Sequence, residues 1–355
     1  MSRKYLGPIL ASLLLLGLSP APALAEKTDV VILLNGNAVT GEVKSLEFGL
    51  LKYSTDSMGT VSIDWEDIVS VSSKQHLQIE LSDGTKYFGE IMATGDPHVV
   101  RVVTLSTELA IEATRIVRIT PIETSDKFLD RLEGSFSFGI QTQKASDVTT
   151  SNLAADVGYR TRKYLVGLRI NSAITDQPDP DAEGSVTTAR QSITTNYQRF
   201  HKNRWFTDWF TGWERNDEQG IEARSSVGGA VGRYVVQSNR NQLSMTVGLQ
   251  NAHTSFFDDA EGNPQESTSK AEGRVEIRYQ RRNLVPESSF RITYTLYPLI
   301  EDLSEYRAES DMSLRREVFE DLFLELSVGY SYLTDPPEGG STTDYTATTS
   351  LGYSF

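Results

Sequence analysis

The sequence predicts an all-β protein: a pair of small SH3/Sm-like β modules followed by an antiparallel transmembrane β-barrel of about twelve strands. Three observations predict it. A 48-residue repeat runs through the first third of the chain, polar–apolar alternation fills nearly everything after Leu132, and the links between alternating segments are sorted by length and charge. Strict alternation means strands whose two faces meet different surroundings.

Residues 1–25 read as a secretory leader. Arg3 and Lys4 precede an apolar run from Leu6 to Leu18, and Ala23 and Ala25 supply the small residues of a cleavage site. The run is shorter than the ~20 residues of a spanning helix, and Pro20 and Pro22 follow it. Losing Arg3 and Lys4 takes the formal charge from −14 to −16. Such acidity argues against a nucleic-acid partner. The absence of cysteine excludes disulfides and thiolate metal sites. His76, His98, His201 and His253 share no metal-ligand spacing, so no metal or cofactor is expected. No other apolar stretch suits a spanning helix; a membrane would have to be entered as strands.

The segment 26–123 carries the repeat, in copies of about 29–74 and 77–122. At an offset of 48, Val31, Leu33, Gly36, Gly41 and Val43 fall on Ile79, Leu81, Gly84, Gly89 and Ile91. Ile63, Ile68 and Val71 likewise fall on Ile111, Ile116 and Ile119. Each copy reads as strand, "NGN" or "SDGT" turn, strand, and a closing strand, with tight hairpins at the glycines. A periplasmic docking or spacing domain follows, able to engage a periplasmic protein or peptidoglycan. Trp65 reads as packing rather than a partner contact.

After a linker at 124–131, the segment 132–355 divides into twelve alternating stretches. They run near 132–143, 150–161, 163–175, 186–199, 204–216, 223–236, 241–256, 268–281, 288–299, 305–317, 321–334 and 343–355. Each is long enough to cross a bilayer as a tilted strand. Leu243, Met245, Val247 and Leu249 oppose Ser244, Thr246, Gly248 and Gln250; Val275, Ile277 and Tyr279 oppose Arg274, Glu276, Arg278 and Gln280. A soluble barrel would give the same alternation with its faces reversed. The links decide between them. "RTRK", "RFHKNR", "QSNRN", "RRNLVPE" and "LRREVFED" are short and basic, whereas "TDQPDPDAEGS", "ERNDEQG", "FDDAEGNPQE", "PLIEDLSE" and "TDPPEGGSTTD" are mostly longer and acidic. Short periplasmic turns and long outer loops are the topology of outer-membrane barrels.

The last stretch must close the barrel against the first, where Phe136, Phe138 and Ile140 alternate with Ser135, Ser137 and Gly139. Its ending, Thr349, Leu351, Gly352, Tyr353 and Phe355, resembles the strand by which the barrel-assembly machinery receives outer-membrane proteins. The barrel also resembles the domain of unknown function 481 family of salt-induced outer-membrane proteins. The resemblance is carried by "NRWFTDWFTGWERND", "SSVGGAVGRYVVQSNRNQLSMTVGL", "RITYTLYPLIEDLSEYR" and "DPPEGGSTTDYTATTSLGYSF". It implies an outer-membrane location, with lipid and lipopolysaccharide as surroundings, and a structural or permeability role tied to salt stress. The N-terminal repeat is an addition to a bare barrel.

Trp205, Trp209 and Trp213, with Tyr330 and Tyr332, form a candidate aromatic belt, the alternative for the tryptophans being a lumen platform for sugars. Arg169, Glu272, Arg274, Glu276, Arg278, Glu309, Asp311 and Arg315 are candidate lumen charges. Their interleaved signs suit ion-paired packing that narrows the barrel, or else the lining of a channel. No two histidines can be assigned to one site, so no enzyme is expected.

Overall fold

The structure is a computed structural model that describes residues 27–122, 132–143, 148–178, 185–258, 262, 264–285, 287–319, 321–336 and 341–354. The expected cleavage site at Ala23 and Ala25, the linker 124–131 and the terminal Phe355 lie outside them.

Nine strands form the N-terminal sheet: β1 (Asp29–Leu33), β2 (Ala38–Glu47), β3 (Leu50–Ser54), β4 (Thr60–Asp64), β5 (Ile68–Leu81), β6 (Lys86–Met92), β7 (Val99–Val103), β8 (Glu108–Glu112) and β9 (Ile116–Pro121). Their order is β4-β3-β2-β1-β5-β6-β7-β8, with β9 pairing both β2 and β5. The 48-residue repeat reappears in the pairing itself. Val31 lies opposite Val39 and Val71, and its counterpart Ile79 lies opposite Tyr87 and Ile119. The two modules are fused. The 14-residue β5 closes the first module with its N-terminal half and opens the second with its C-terminal half.

One buried cluster, including Val31, Leu46, Tyr53, Trp65, Leu77, Ile79 and Ile119, serves both copies. Trp65 sits in a single 3-10 turn after β4, is 3% exposed, and donates its Nε1 hydrogen to the Ala113 carbonyl at 2.8 Å. Ala113 is its equivalent in the second copy, so the bond ties the repeats across their pseudo-symmetry. In the "NGN" and "SDGT" hairpins Gly36 (φ 82°) and Gly84 (φ 87°) take positive φ, and Asn35 and Asp83 do not. With Leu33 N–H donating to Asn37 O, each is the wider glycine-bulge hairpin rather than the two-residue turn.

Twelve strands then close a barrel in sequence order. They are β10 (Leu132–Gln143), β11 (Val148–Arg160), β12 (Tyr164–Pro178), β13 (Ser185–Phe200), β14 (Trp205–Asn216), β15 (Ile221–Gln237), β16 (Asn241–Phe256), β17 (Thr268–Arg282), β18 (Ser288–Pro298), β19 (Tyr306–Phe319), β20 (Leu322–Leu333) and β21 (Thr343–Ser354). Closure leaves no sheet edge, the condition a strand protein must meet in hydrocarbon. It rests on a short seam between β10 and β21, from Ser135 opposite Ser354 to Phe138 opposite Leu351.

The faces sort as the alternation predicts. Phe136, Phe138, Val247, Leu249, Leu326 and Leu351 point outward, each 46–64% exposed, while Gln250, Thr246, Glu276 and Ser350 are buried inside. The ambiguous fifth barrel strand, β14, turns its tryptophans outward, with Trp205 45% and Trp209 51% exposed. Phe206 and Phe210 fill the interior instead, at 3% and 7%. The lumen platform for sugars is therefore not built from these tryptophans.

Candidate functional site

The interior of the barrel is a polar chamber of about 810 Å³. Seven of the expected lumen charges line it: Arg169, Arg274, Glu276, Arg278, Glu309, Asp311 and Arg315. Glu272 lies outside that lining. It is 6% exposed toward the long-loop end, where Arg224 and Gln250 hold it, the latter at 2.7 Å.

Most of the charge is internally matched. Arg169 pairs with Asp156 at 2.7 Å, Arg274 and Arg278 with Glu276 at 2.6 and 3.0 Å, and Arg315 with Glu325 at 3.0 Å. Arg307 pairs with Glu309 and reaches Glu214 at 3.7 Å. Inward aromatics carry several of these guanidinium groups. Arg274 lies 4.1 Å from the Phe210 ring centre, Arg307 4.0 Å from Tyr297 and Arg315 3.7 Å from Phe323. Stacking holds a cation in place without a second carboxylate. Phe210 escaped the sequence because "WFTDWFTGW" is apolar on both faces; only Asp208 in it marks the inner one.

At the long-loop end a latch crosses the lumen. The link after β14 folds inward as one 3-10 turn, leaving Asn216 and Gln219 fully buried. Gln219 Nε2 donates to Ser331 Oγ at 3.0 Å, and Asn216 Nδ2 to Asp344 Oδ2 at 3.2 Å. Arg190 meets the same carboxylate at 3.1 Å. These partners sit on β20 and β21, nearly opposite β14 around the barrel. The chamber lining stops at Glu214, Gly329 and Thr346, one inward residue short of Asn216, Ser331 and Asp344. "ERNDEQG" therefore serves as an internal tie rather than as an exposed acidic loop.

At the short-turn end the N-terminal domain forms a cap, and its Glu47 helps to line the chamber floor. Glu47 is held between Arg160 of the barrel at 2.8 Å and Arg118 of β9 at 3.0 Å, and both guanidinium groups lie over the Phe200 ring. Arg282 donates to Gly49 O at 2.9 Å and pairs with Asp64. Arg240 grips Glu66 with two hydrogen bonds, one of 2.7 Å. Arg204 donates to Ser82 O at 3.1 Å, and Lys52 reaches Glu133 at 3.3 Å. Gly49 takes φ +75°, and a Cβ there would lie 2.9 Å from Arg282 Nη2 and meet the Asn239 carbonyl. The basic character of three short turns thus has a partner in Glu47, Asp64 and Glu66 of the cap, while Arg204 of a fourth meets a cap carbonyl. Burial opposes ionisation of Glu47, but Arg160 and then Arg118 outweigh it and lower its pKa. The Arg240 hydrogen bonds do the same for Glu66.

Outside, the aromatic residues occupy two levels. Tyr159, Tyr164, Tyr197 and Trp209 form a ladder with ring centres 5.6–6.4 Å apart. Tyr306 and Tyr332 pair at 5.7 Å toward the other end. Trp205 and Trp213, eight residues apart, are separated by roughly 26 Å along β14. The single belt expected of Trp205, Trp209, Trp213, Tyr330 and Tyr332 is thus spread over both levels, as the girdles of a bilayer-spanning barrel are.

In the terminal strand, Leu351 and Tyr353 face outward at 49% and 51% exposure. Thr349 pairs with Leu326, and Gly352 packs on the Phe323 ring, where a Cβ would collide.

A closed twelve-strand barrel with an apolar exterior and a charged, internally paired lumen is an outer-membrane-type β-barrel. The chain belongs to the family described as "Protein of unknown function, DUF481", whose family model matches residues 135–355. No curated protein matches the chain. Among solved structures, the NanC porin is 12% identical, with 63% of this chain and 98% of that one covered at a TM-score of 0.37. The translocator domain of the autotransporter NalP from Neisseria meningitidis is 10% identical, covering 62% and 87% at 0.36. A Pseudomonas aeruginosa FadL homologue is 10% identical, covering 92% and 86% at 0.27. No function is carried over from similarities this low.

Proposed function

We propose that this protein is a permeability element of the outer membrane, held shut at rest by its own N-terminal domain on the periplasmic side. Lipid surrounds the outward apolar face, lipopolysaccharide meets the long acidic loops, and the barrel-assembly machinery receives β21 during biogenesis. The role is passage or its prevention, not catalysis. One observation carries the reading: the cap engages three short turns through Glu47, Asp64 and Glu66, a fourth through the Ser82 carbonyl, and shares the chamber floor. Arg240 and Glu66 are 51% and 44% exposed, so rising ionic strength weakens their attraction. The likeness to salt-induced outer-membrane proteins fits a cap of that kind.

Planar-bilayer conductance tests it. The wild-type chain is expected to show rare, small openings, and the double variant Asp64→Lys/Glu66→Lys long, larger ones; equal conductance overturns the cap. A mobility difference between unboiled and boiled samples on a denaturing gel tests membrane insertion. No shift, with recovery from the soluble periplasm, overturns the outer-membrane assignment.

A further inference from the structure

Every cation lining the chamber is an arginine, which stays charged and offers a planar fork of donors to an oxyanion. Arg169, Arg278 and Arg315 are committed to Asp156, Glu276 and Glu325. Arg291 differs: among the described residues no carboxylate pairs with it. Its register partners on the adjoining strands are Gln280 and Ser313, both neutral and both facing the chamber.

The register also sets what lies diagonally beside it. Arg278 is opposite Thr293, and Arg315 is two residues beyond Ser313. Diagonal neighbours on one face of a sheet lie about 7 Å apart. Three guanidinium groups therefore share one patch of wall on β17, β18 and β19, with the hydroxyls of Thr293, Ser313 and Ser327 beside them. Asp311 occupies the other diagonal from Arg291, on the side where Arg190 also lies. A Cβ at Gly329 would lie 3.6 Å from Asp311 Oδ1 and 3.8 Å from Arg190 Nη1, so both groups converge on that space. Asp156 attracts Arg291 but is itself paired with Arg169 at 2.7 Å, so Arg291 has no ion pair of its own beside Arg278 and Arg315, an arrangement that an added anion relieves.

We propose that Arg291, flanked by Arg278 and Arg315, is an oxyanion subsite of the chamber that takes the carboxylate or phosphate group of a small solute. This deepens the permeability reading and rests on it for the solute's route of entry.

Calorimetric titration of the full chain in detergent, with citrate in one arm and inorganic phosphate in the other, is the test. Saturable binding in either arm is expected, and the arm that binds identifies the group. Arg291→Gln should weaken it about tenfold, the loss of one charge-assisted contact. Arg291→Lys should fall between, retaining charge without the fork. Heat-shifted migration of each variant shows that the barrel has formed. The proposal is overturned if neither anion binds the wild type or the Asp64→Lys/Glu66→Lys variant, or if Arg291→Gln binds as tightly as wild type. Failure of the cap would appear elsewhere, as unchanged conductance in the double variant.

Discussion

Glu47 and Glu66 show how single side chains set the working range of the cap. Both are held below the ordinary glutamate value of 4.5, Glu47 by Arg160 and Arg118 against its burial and Glu66 by Arg240. A carboxylate with a depressed bound value stabilises docking fully above its ordinary value, and that contribution is lost as pH falls through the lower one. Docking should therefore be unchanged from neutral pH down to about 5 and should fail progressively below about 4. Protease cleavage between the cap and β10, followed against pH, measures this. Glu47→Gln should remove part of the acid dependence while leaving the barrel's heat shift intact. Nothing in the sequence of "SLEFGLL" signals a contact with turns more than a hundred residues later; the link exists only once Gly49 lies against Asn239 and Arg282.

Among the elements, the barrel strands were legible and the latch was not. Alternation gives β10 to β21 because each face has one solvent, and the links give their order because neighbouring antiparallel strands need short connections. The face of β14 could not be read from "WFTDWFTGW", since aromatic residues fill both sides; arginines stacked inside, at Phe210 for example, settle it. The latch stayed hidden because Asn216 and Gln219 look like the polar residues of any loop. Burial alone distinguishes them. Gln219→Ala removes a buried donor and strands Ser331, costing about 1 kcal/mol, and should lengthen openings in bilayers when combined with Asp64→Lys/Glu66→Lys. If the triple variant conducts like the double one, the inward link does not restrict the lumen.

For the whole molecule, a cap docked by charge should respond to salt in two stages. Exposed pairs such as Arg240–Glu66 and Lys52–Glu133 are screened as the Debye length shrinks from ~8 Å at 0.15 M to ~3 Å at 1 M. Buried ones around Glu47 and Arg282 are not. Raising salt from 0.15 to 1 M should therefore increase protease access to the cap several-fold without releasing it, and Glu66→Gln should abolish most of that response. Repeat and barrel were both visible in the sequence because each is a periodic pattern, whereas their docking is not periodic and had to be seen. The continuous β5 then bears on ancestry. A duplicated module usually stays divisible, each copy able to be lost, exchanged or inherited alone. Here one strand completes the first copy while beginning the second, and β9 returns to pair with β2, so a cut between copies leaves two fragments with open cores. From the moment that strand became common property, the pair could only be passed on whole.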